Sequence, residues 1–280
     1  MLLLTTDILS QVITPRPLLS HKGNFGRVLA IGGSLNFGGA IIMASQAAAY
    51  AGAGLVSCAT DRANLSSLHA RCPEVMFLDY HDQKQTLSAI QQNDVIIIGP
   101  GLDLDDFGFE LLSLVLTYAK EDCPVIIDGS AITLLSQHPF LLKKLKNKNV
   151  IFTPHQMEWQ RLAQIPINQQ EQTTNLIARQ KLEATVVLKK FQTEIYHQNN
   201  QIHQLSIGGP YMATGGMGDT LTGILAAFLA QFHNQDSIAV IDAAVYFHSY
   251  VARELSQDNY VTLPSIICQT IPTIMRRFAN

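Results

Sequence analysis

Six short apolar runs punctuate the chain: VLAIGG from Val28, LVSCAT from Leu55, DVIIIG from Asp94, PVIIDG from Pro124, VIFTP from Val150 and TVVLKK from Thr185. Each is nearly continuous rather than alternating, which is the pattern of strands buried on both faces of a parallel sheet. Helix-length segments lie between them, at Ala40–Ala53, Phe109–Lys120 and Asn175–Glu183. Strands alternating with helices predict an α/β fold, a three-layer α/β/α arrangement around a mostly parallel central sheet. One part breaks the alternation. Thr193–His197 and Gln201–Ser206 flank Asn199 and Asn200 and predict a hairpin with a polar turn. Three helices follow with no strand between them, at Thr220–Phe232, Ser237–Ser256 and Ser265–Phe278, and Pro272 is expected to kink or interrupt the last. The glutamine-rich Gln164–Gln172 stretch predicts a surface loop and a helix start. No internal repeat and no Pro-, Gly- or Ser-rich linker is present, so residues 1–280 are expected to form a single domain.

Charge changes this picture. Asp, Glu, Lys and Arg make up 15% of the chain, against about 25% in a typical soluble domain. From Val28 to Thr60 there is no charged residue at all. That run is broken by Gly32, Gly33, Ser34, Asn36, Gly38 and Gly39, and its second half is mainly alanine. It therefore predicts a strand, a glycine loop and a tightly packed buried helix rather than a membrane span. The net charge of −3 argues against a nucleic-acid binder. Cys58, Cys72, Cys123 and Cys268 have no CxxC spacing, so neither a disulfide framework nor a zinc site is expected. The N-terminal MLLLTTD lacks the basic and apolar regions of a signal peptide. A cytoplasmic location is the default expectation.

The glycines are unevenly placed. Eight lie between Gly23 and Gly54 and six between Gly208 and Gly223. Backbone N–H groups can approach an anion closely at glycine. In the second cluster Gly215, Gly216, Met217 and Gly218 run into Asp219, and an apolar helix follows at once. Free N–H groups at a helix start and the helix dipole favour a phosphoryl group there. Asp219 has two readings: an N-cap for Leu221 or Thr222, or a general base beside the phosphate site. The preceding glycines favour the base, since a plain cap needs none of them. No GxxxxGK[ST] occurs, and no GxGxxG follows a strand.

ATGGMGDTLTG, with HKGNFGRVLAIGGS, GPGL from Gly99 and TPHQMEWQRL from Thr153, resembles the ADP/ATP-dependent NAD(P)H-hydrate dehydratases, a branch of the ribokinase-like fold. The resemblance runs from about His21 to about Phe232. It implies a repair reaction. Hydrated NADH or NADPH is phosphorylated on its new hydroxyl by ADP or ATP, and loss of phosphate restores the ring double bond. By the same resemblance Asp219 is the catalytic aspartate, which would deprotonate or orient the substrate hydroxyl, and Gly215, Gly216 and Gly218 form the anion hole. Ala40, Gly101 and His155 would contact the hydrated dinucleotide. Lys189, Lys190, Phe191, Gln192 and Thr193 match a KGxxT-type nucleotide segment, and Gly218 would also touch the nucleotide. Glu158 has two readings, ordering Mg2+ through water or an exposed helix position, and His155 is a dinucleotide contact or a plain loop residue, the TPHxxE context favouring the contact. The family's members often assemble, so a homo-oligomer is expected.

The chain departs from the family pattern at several positions. Asp103 replaces the last glycine of GPGLG, Ser130 the second acid of DAD, Met157 the glycine of TPHxGE and Lys190 that of KG. Gly209, Pro210 and Tyr211 alter GNxGMATGG, and Arg253 stands where HxxAGD has its acid. Asp128 ends a strand on the ligand side of such sheets, and function and turn formation weigh equally there. Trp159 reads as packing, the Lys143–Lys148 patch as a helix end and exposed turn, and His21 and Lys22 as a solvated loop. Two other functions stay open: a kinase of the same fold acting on a vitamin-precursor alcohol, and a catalytically weak nucleotide-binding protein.

Overall fold

The computed structural model describes residues 1–279. Its strands are β1 (Leu2–Leu4), β2 (Arg27–Ile31), β3 (Leu55–Thr60), β4 (Met76–Asp79), β5 (Val95–Ile98), β6 (Val125–Ile127), β7 (Val150–Phe152), β8 (Thr185–Leu188), β9 (Glu194–Tyr196) and β10 (Ile202–Leu205). The helices are α1 (Asp7–Val12), α2 (Gly38–Tyr50), α3 (Leu65–Arg71), α4 (Gln83–Gln92), α5 (Asp106–Tyr118), α6 (Ser130–Gln137), α7 (Gln156–Ala163), α8 (Gln172–Leu182), α9 (Met217–Gln231), α10 (Ser237–Leu255) and α11 (Pro264–Phe278). All the strands join one sheet in the order β1-β10-β9-β8-β7-β6-β5-β2-β3-β4. Only the β8–β9 and β9–β10 pairings are antiparallel. The six apolar runs are all parallel strands, and the expected hairpin is β9–β10.

Alternate strand residues feed two cores, as strands buried on both faces must. Val28, Ala30, Ile97, Ile126 and Ile151 pack under α1, α2, α3, α9, α10 and α11. Leu29, Ile31, Ile96, Ile98, Ile127 and Phe152 pack under α4 to α8. The layers are therefore helix, sheet, helix. The charge-free Val28–Thr60 run becomes β2, a loop, α2 and β3. Its alanines serve close helix contact. A Cβ on Gly223 of α9 would lie 2.1 Å from the Ala44 carbonyl oxygen of α2. Helix α9 is buried nearly all round, which explains its unbroken apolar sequence. Among the described residues no helix is long and apolar enough to cross a membrane.

One expectation needs correction. Pro272 does not interrupt α11, which runs through it. The proline ring is exposed, while Ile267, Cys268, Ile271 and Ile274 are buried on the other face. Packing of that face holds the helix across the one backbone hydrogen bond that proline removes.

The strand order also places the site. From β2 the chain steps outward through β3 to β4, then returns to β5 and steps the other way through β6, β7 and β8. The direction reverses between β2 and β5, and in open α/β sheets the crevice at such a reversal takes ligands. Ile31, Ile98, Ile127 and Phe152 lie in register across four strands. The residues just beyond them, Gly32, Gly99, Asp128 and Thr153, therefore line one edge.

Candidate active site

Asp128 and Thr153 are neighbours on that edge because β6 and β7 are in register. The Thr153 hydroxyl donates to Asp128 Oδ1 at 2.8 Å. Strand β8 runs past the edge, so Lys189 reaches the same carboxylate, and its Nζ donates to Asp128 Oδ1 at 2.7 Å. Asp128 is buried, and its side chain is engaged in the site rather than in a turn. Lys189 also pairs with His155 through the backbone, its N–H donating to the Pro154 carbonyl at 2.8 Å.

His155 is the N-cap of α7. Its Nδ1 accepts the N–H groups of Met157 and Glu158 at 3.1 and 3.2 Å. Glu158 Oε2 accepts the His155 N–H at 2.8 Å, completing a capping box. With Nδ1 accepting, the ring proton is assigned to Nε2. Burial and the Lys189 ammonium hold the His155 pKa below its ordinary value, so the ring is neutral. Glu158 is buried rather than on a solvated helix face, and burial with nearby Asp128 raises its pKa.

Asp219 lies in the first turn of α9, but Gly216, not Asp219, is the N-cap. No side-chain hydrogen bond caps the helix, so the capping role does not hold for Asp219. Gly216 has φ +90, a left-handed conformation that glycine adopts freely. Burial, then the nearby Asp128 carboxylate, raise the Asp219 pKa to about 7, against the lowering effect of Lys189. A carboxyl balanced there can accept a proton at neutral pH. Gly218 leaves the space that Lys189 uses: a Cβ there would lie 2.8 Å from Lys189 Nζ and 3.8 Å from Asp128 Oδ2. Burial pulls the Lys189 pKa down, but Asp128, Glu158 and Asp219 outweigh it and leave it raised. Lys189 is therefore a permanent cation among three carboxyl groups.

A cavity of about 640 Å3 opens beside this cluster. It is lined by His155, Lys189, Lys190, Phe191, Gln192, Thr193 and Gly218 among others. The strap after β8 and the loop before α9, joined by the β9–β10 hairpin, thus share one space. Within the strap the two lysines part. Lys190 Nζ pairs with buried Glu194 Oε1 at 2.8 Å, while Phe191 stays 72% exposed. Ala40 and Gly101 meet beside the reversal point. A Cβ on Gly101 would approach the Phe37 carbonyl and, at 3.1 Å, the Ala40 Cβ. Met43, one turn on from Ala40, touches the Gly216 position, which ties this pair to the anion loop. The resemblance placed His248 as the histidine of HxxAGD but gave it no role. It is buried on α10, lines the cavity and has an unpartnered Nε2 among the described residues. Burial lowers its pKa to about 4.

A phosphate-suited helix start, a half-buried acid and a nucleotide-sized cavity beside the β8 end of the sheet edge define a ribokinase-like protein. The fold agrees: a ribokinase-like superfamily protein of Enterococcus faecalis superposes with a TM-score of 0.94 at 47% identity, covering 99% of this chain and 96% of that one. The family model of NAD(P)H-hydrate dehydratase matches residues 28–273, and the chain belongs to that family. It is 48% identical over 277 residues to the ADP-dependent (S)-NAD(P)H-hydrate dehydratase of Lactiplantibacillus plantarum, over 99% of this chain and 98% of that protein. The ADP/ATP-dependent NAD(P)H-hydrate dehydratase of Bacillus subtilis, co-crystallized with ATP and Mg2+, superposes with a TM-score of 0.84 at 27% identity, covering 98% of this chain and 97% of that one.

Proposed function

We propose that this protein dehydrates hydrated NADH and NADPH at the expense of an adenine nucleotide, ADP or ATP. The observation that carries the reading is Asp219: a half-buried carboxyl balanced near neutral pH, behind the Gly215–Gly218 loop and beside the Lys189 ammonium. The substrate hydroxyl gives its proton to Asp219 as its oxygen attacks the terminal phosphorus. The bond to the departing nucleotide breaks, and the anion loop and helix dipole stabilise the charge that builds on the phosphoryl oxygens. Phosphate then leaves the ring carbon with the electron pair of its C–O bond, and the neighbouring carbon gives its proton to the departing phosphate or to water. That restores the double bond. Phosphate leaves where hydroxide would not.

The site contacts follow the same reading. Ala40, Gly101, His155 and Asp219 would hold the hydrated dinucleotide, and Lys189–Thr193 with Gly218 the nucleotide. Asp219, Gly216 and Gly218 are the catalytic set. The oxygen donors fit Mg2+ as a nucleotide-bound ion. Glu158 Oε2 is taken by the His155 N–H and Oε1 lies 3.4 Å from His155 Nε2, so Glu158 would hold a water of such an ion through Oε1 beside that ring. When bound, Mg2+ neutralises phosphate charge. One continuous sheet supports residues 1–280 acting as a single domain. Four buried free thiols suit the reducing cytoplasm. We expect a homo-oligomer.

The test is turnover. Purified protein given hydrated NADH, Mg2+ and ADP or ATP is expected to regain NADH absorbance and release phosphate in equal amounts. Accumulation of a stable phosphate ester would instead identify a small-molecule kinase. Nucleotide binding with no turnover on either hydrate would overturn the enzyme reading.

A further inference from the structure

Two lysines stand side by side at the end of β8, and the resemblance treats them alike, as part of a nucleotide segment. The structure separates them. Lys190 turns to buried Glu194. Lys189 turns to the edge of the sheet, where its side chain is 20% exposed. Its ammonium sits against Gly218, within 2.8 Å of where a Cβ would stand, and Asp128 and Asp219 both act on it. This is the reacting end of the cavity. The rest of the strap, Lys190–Thr193, lines the cavity beyond it.

Charge makes the cation necessary. Asp128, Glu158 and Asp219 together would repel a polyphosphate, and Lys189 is the cation that acts on Asp219 and Glu158 alike. A lysine is a flexible point charge on four methylenes and must be held to act at one place. Asp128 holds it at 2.7 Å, and Thr153 holds the same oxygen of Asp128 at 2.8 Å from the next strand. The other oxygen, Oδ2, faces Gly218.

We propose that Lys189 is a catalytic residue that touches the terminal, transferring phosphoryl group rather than the adenylate, and that Asp128 and Thr153 are positioning residues that fix its ammonium there. This rests on the nucleotide-dependent reading of the site and changes which part of the nucleotide Lys189 meets. The deciding measurement is calorimetric binding of ADP and of AMP to the whole protein, which needs no turnover. A charge-assisted contact to the terminal phosphate is worth about tenfold or more in affinity. Lys189→Met is expected to weaken ADP at least about tenfold and leave AMP within about twofold, with Lys189→Arg recovering part of the loss. Equal weakening of both nucleotides, or of neither, overturns the assignment.

Asp128→Asn tests the positioning. Removal of a carboxylate near the phosphates leaves ADP affinity unchanged or tighter, while kcat falls about 100-fold because the ammonium is no longer held. A fall in affinity and kcat together would mark a purely structural role, and an unchanged kcat would remove Asp128 from the account. Thr153→Val should show a smaller loss of kcat in the same pattern, with Thr153→Ser restoring it. Should wild-type protein bind ADP and yet turn over no hydrate, the proposed function fails while the ADP-to-AMP comparison still decides the place of Lys189.

Discussion

Two carboxyl groups in this protein, Asp242 buried and Asp219 half-buried, have opposite surroundings. Asp242 on α10 accepts from His197 Nε2 at 2.9 Å and from His203 Nδ1 at 2.6 Å, and all three residues are buried. Each carboxylate oxygen has its own imidazole donor. The cluster staples the β9–β10 hairpin to α10. Asp219 on α9 has no side-chain hydrogen bond among the described residues and lies near two further carboxyl groups. A satisfied buried acid holds a fold together. An unsatisfied one costs stability and stays in reach of a ligand. The difference separates structure from chemistry where both acids look alike in the sequence.

Substitutions should therefore diverge. Asp219→Asn is expected to cut kcat by about 1,000-fold, within the range of general-base removal, with the fold retained. Asp242→Asn should do the reverse. It loses about 3 kcal/mol of stability, read by urea denaturation, and keeps kcat within about twofold once folded. If Asp242→Asn abolished turnover in stable protein, or Asp219→Asn unfolded the chain, the contrast would collapse.

Stability against pH sharpens it. Folding raises the Asp219 pKa from its ordinary value of 3.8 to about 7, so the folded state holds a proton that the unfolded state has released. The contribution of this group is fully present below the unfolded value and is lost as pH rises through the folded one. Asp219→Asn should therefore stabilise the protein above pH 7 by up to about 4 kcal/mol, and the gain should vanish in acid. Thermal midpoints of both proteins across that range check it. A smaller effect is expected of Gly218→Ala. The added methyl meets the flexible end of Lys189, so stability changes by less than about 1 kcal/mol, while displacement of the ammonium lowers kcat about tenfold.

The layers and the parallel sheet were legible because buried strands leave continuous apolar runs. Strands β1 and β4 were not. Leu2–Leu4 is a short edge strand, mostly exposed, whose partner β10 lies some two hundred residues away. Met76–Asp79, at the other edge, is partly exposed and lacks a β-branched run. Glycine placement exposed the Gly215–Asp219 loop, and the family resemblance supplied the strap and the dinucleotide contacts. The Thr153–Asp128–Lys189 chain could not be read, because its members belong to three strands and meet only through register. Asp242 and its histidines escaped for the same reason. Low overall charge suits the proposed site, where backbone N–H groups at Gly216 and Gly218 would meet phosphates and few cations are needed.

The most direct measurement is the pH dependence of kcat/KM for hydrated NADH in wild type and Asp219→Asn. The account predicts an ascending limb in wild type with an apparent pKa of about 7, as Asp219 gives up its proton and becomes the base, and no such limb in the residual activity of the variant. The same limb in both proteins, or a flat wild-type profile through neutrality, would contradict it.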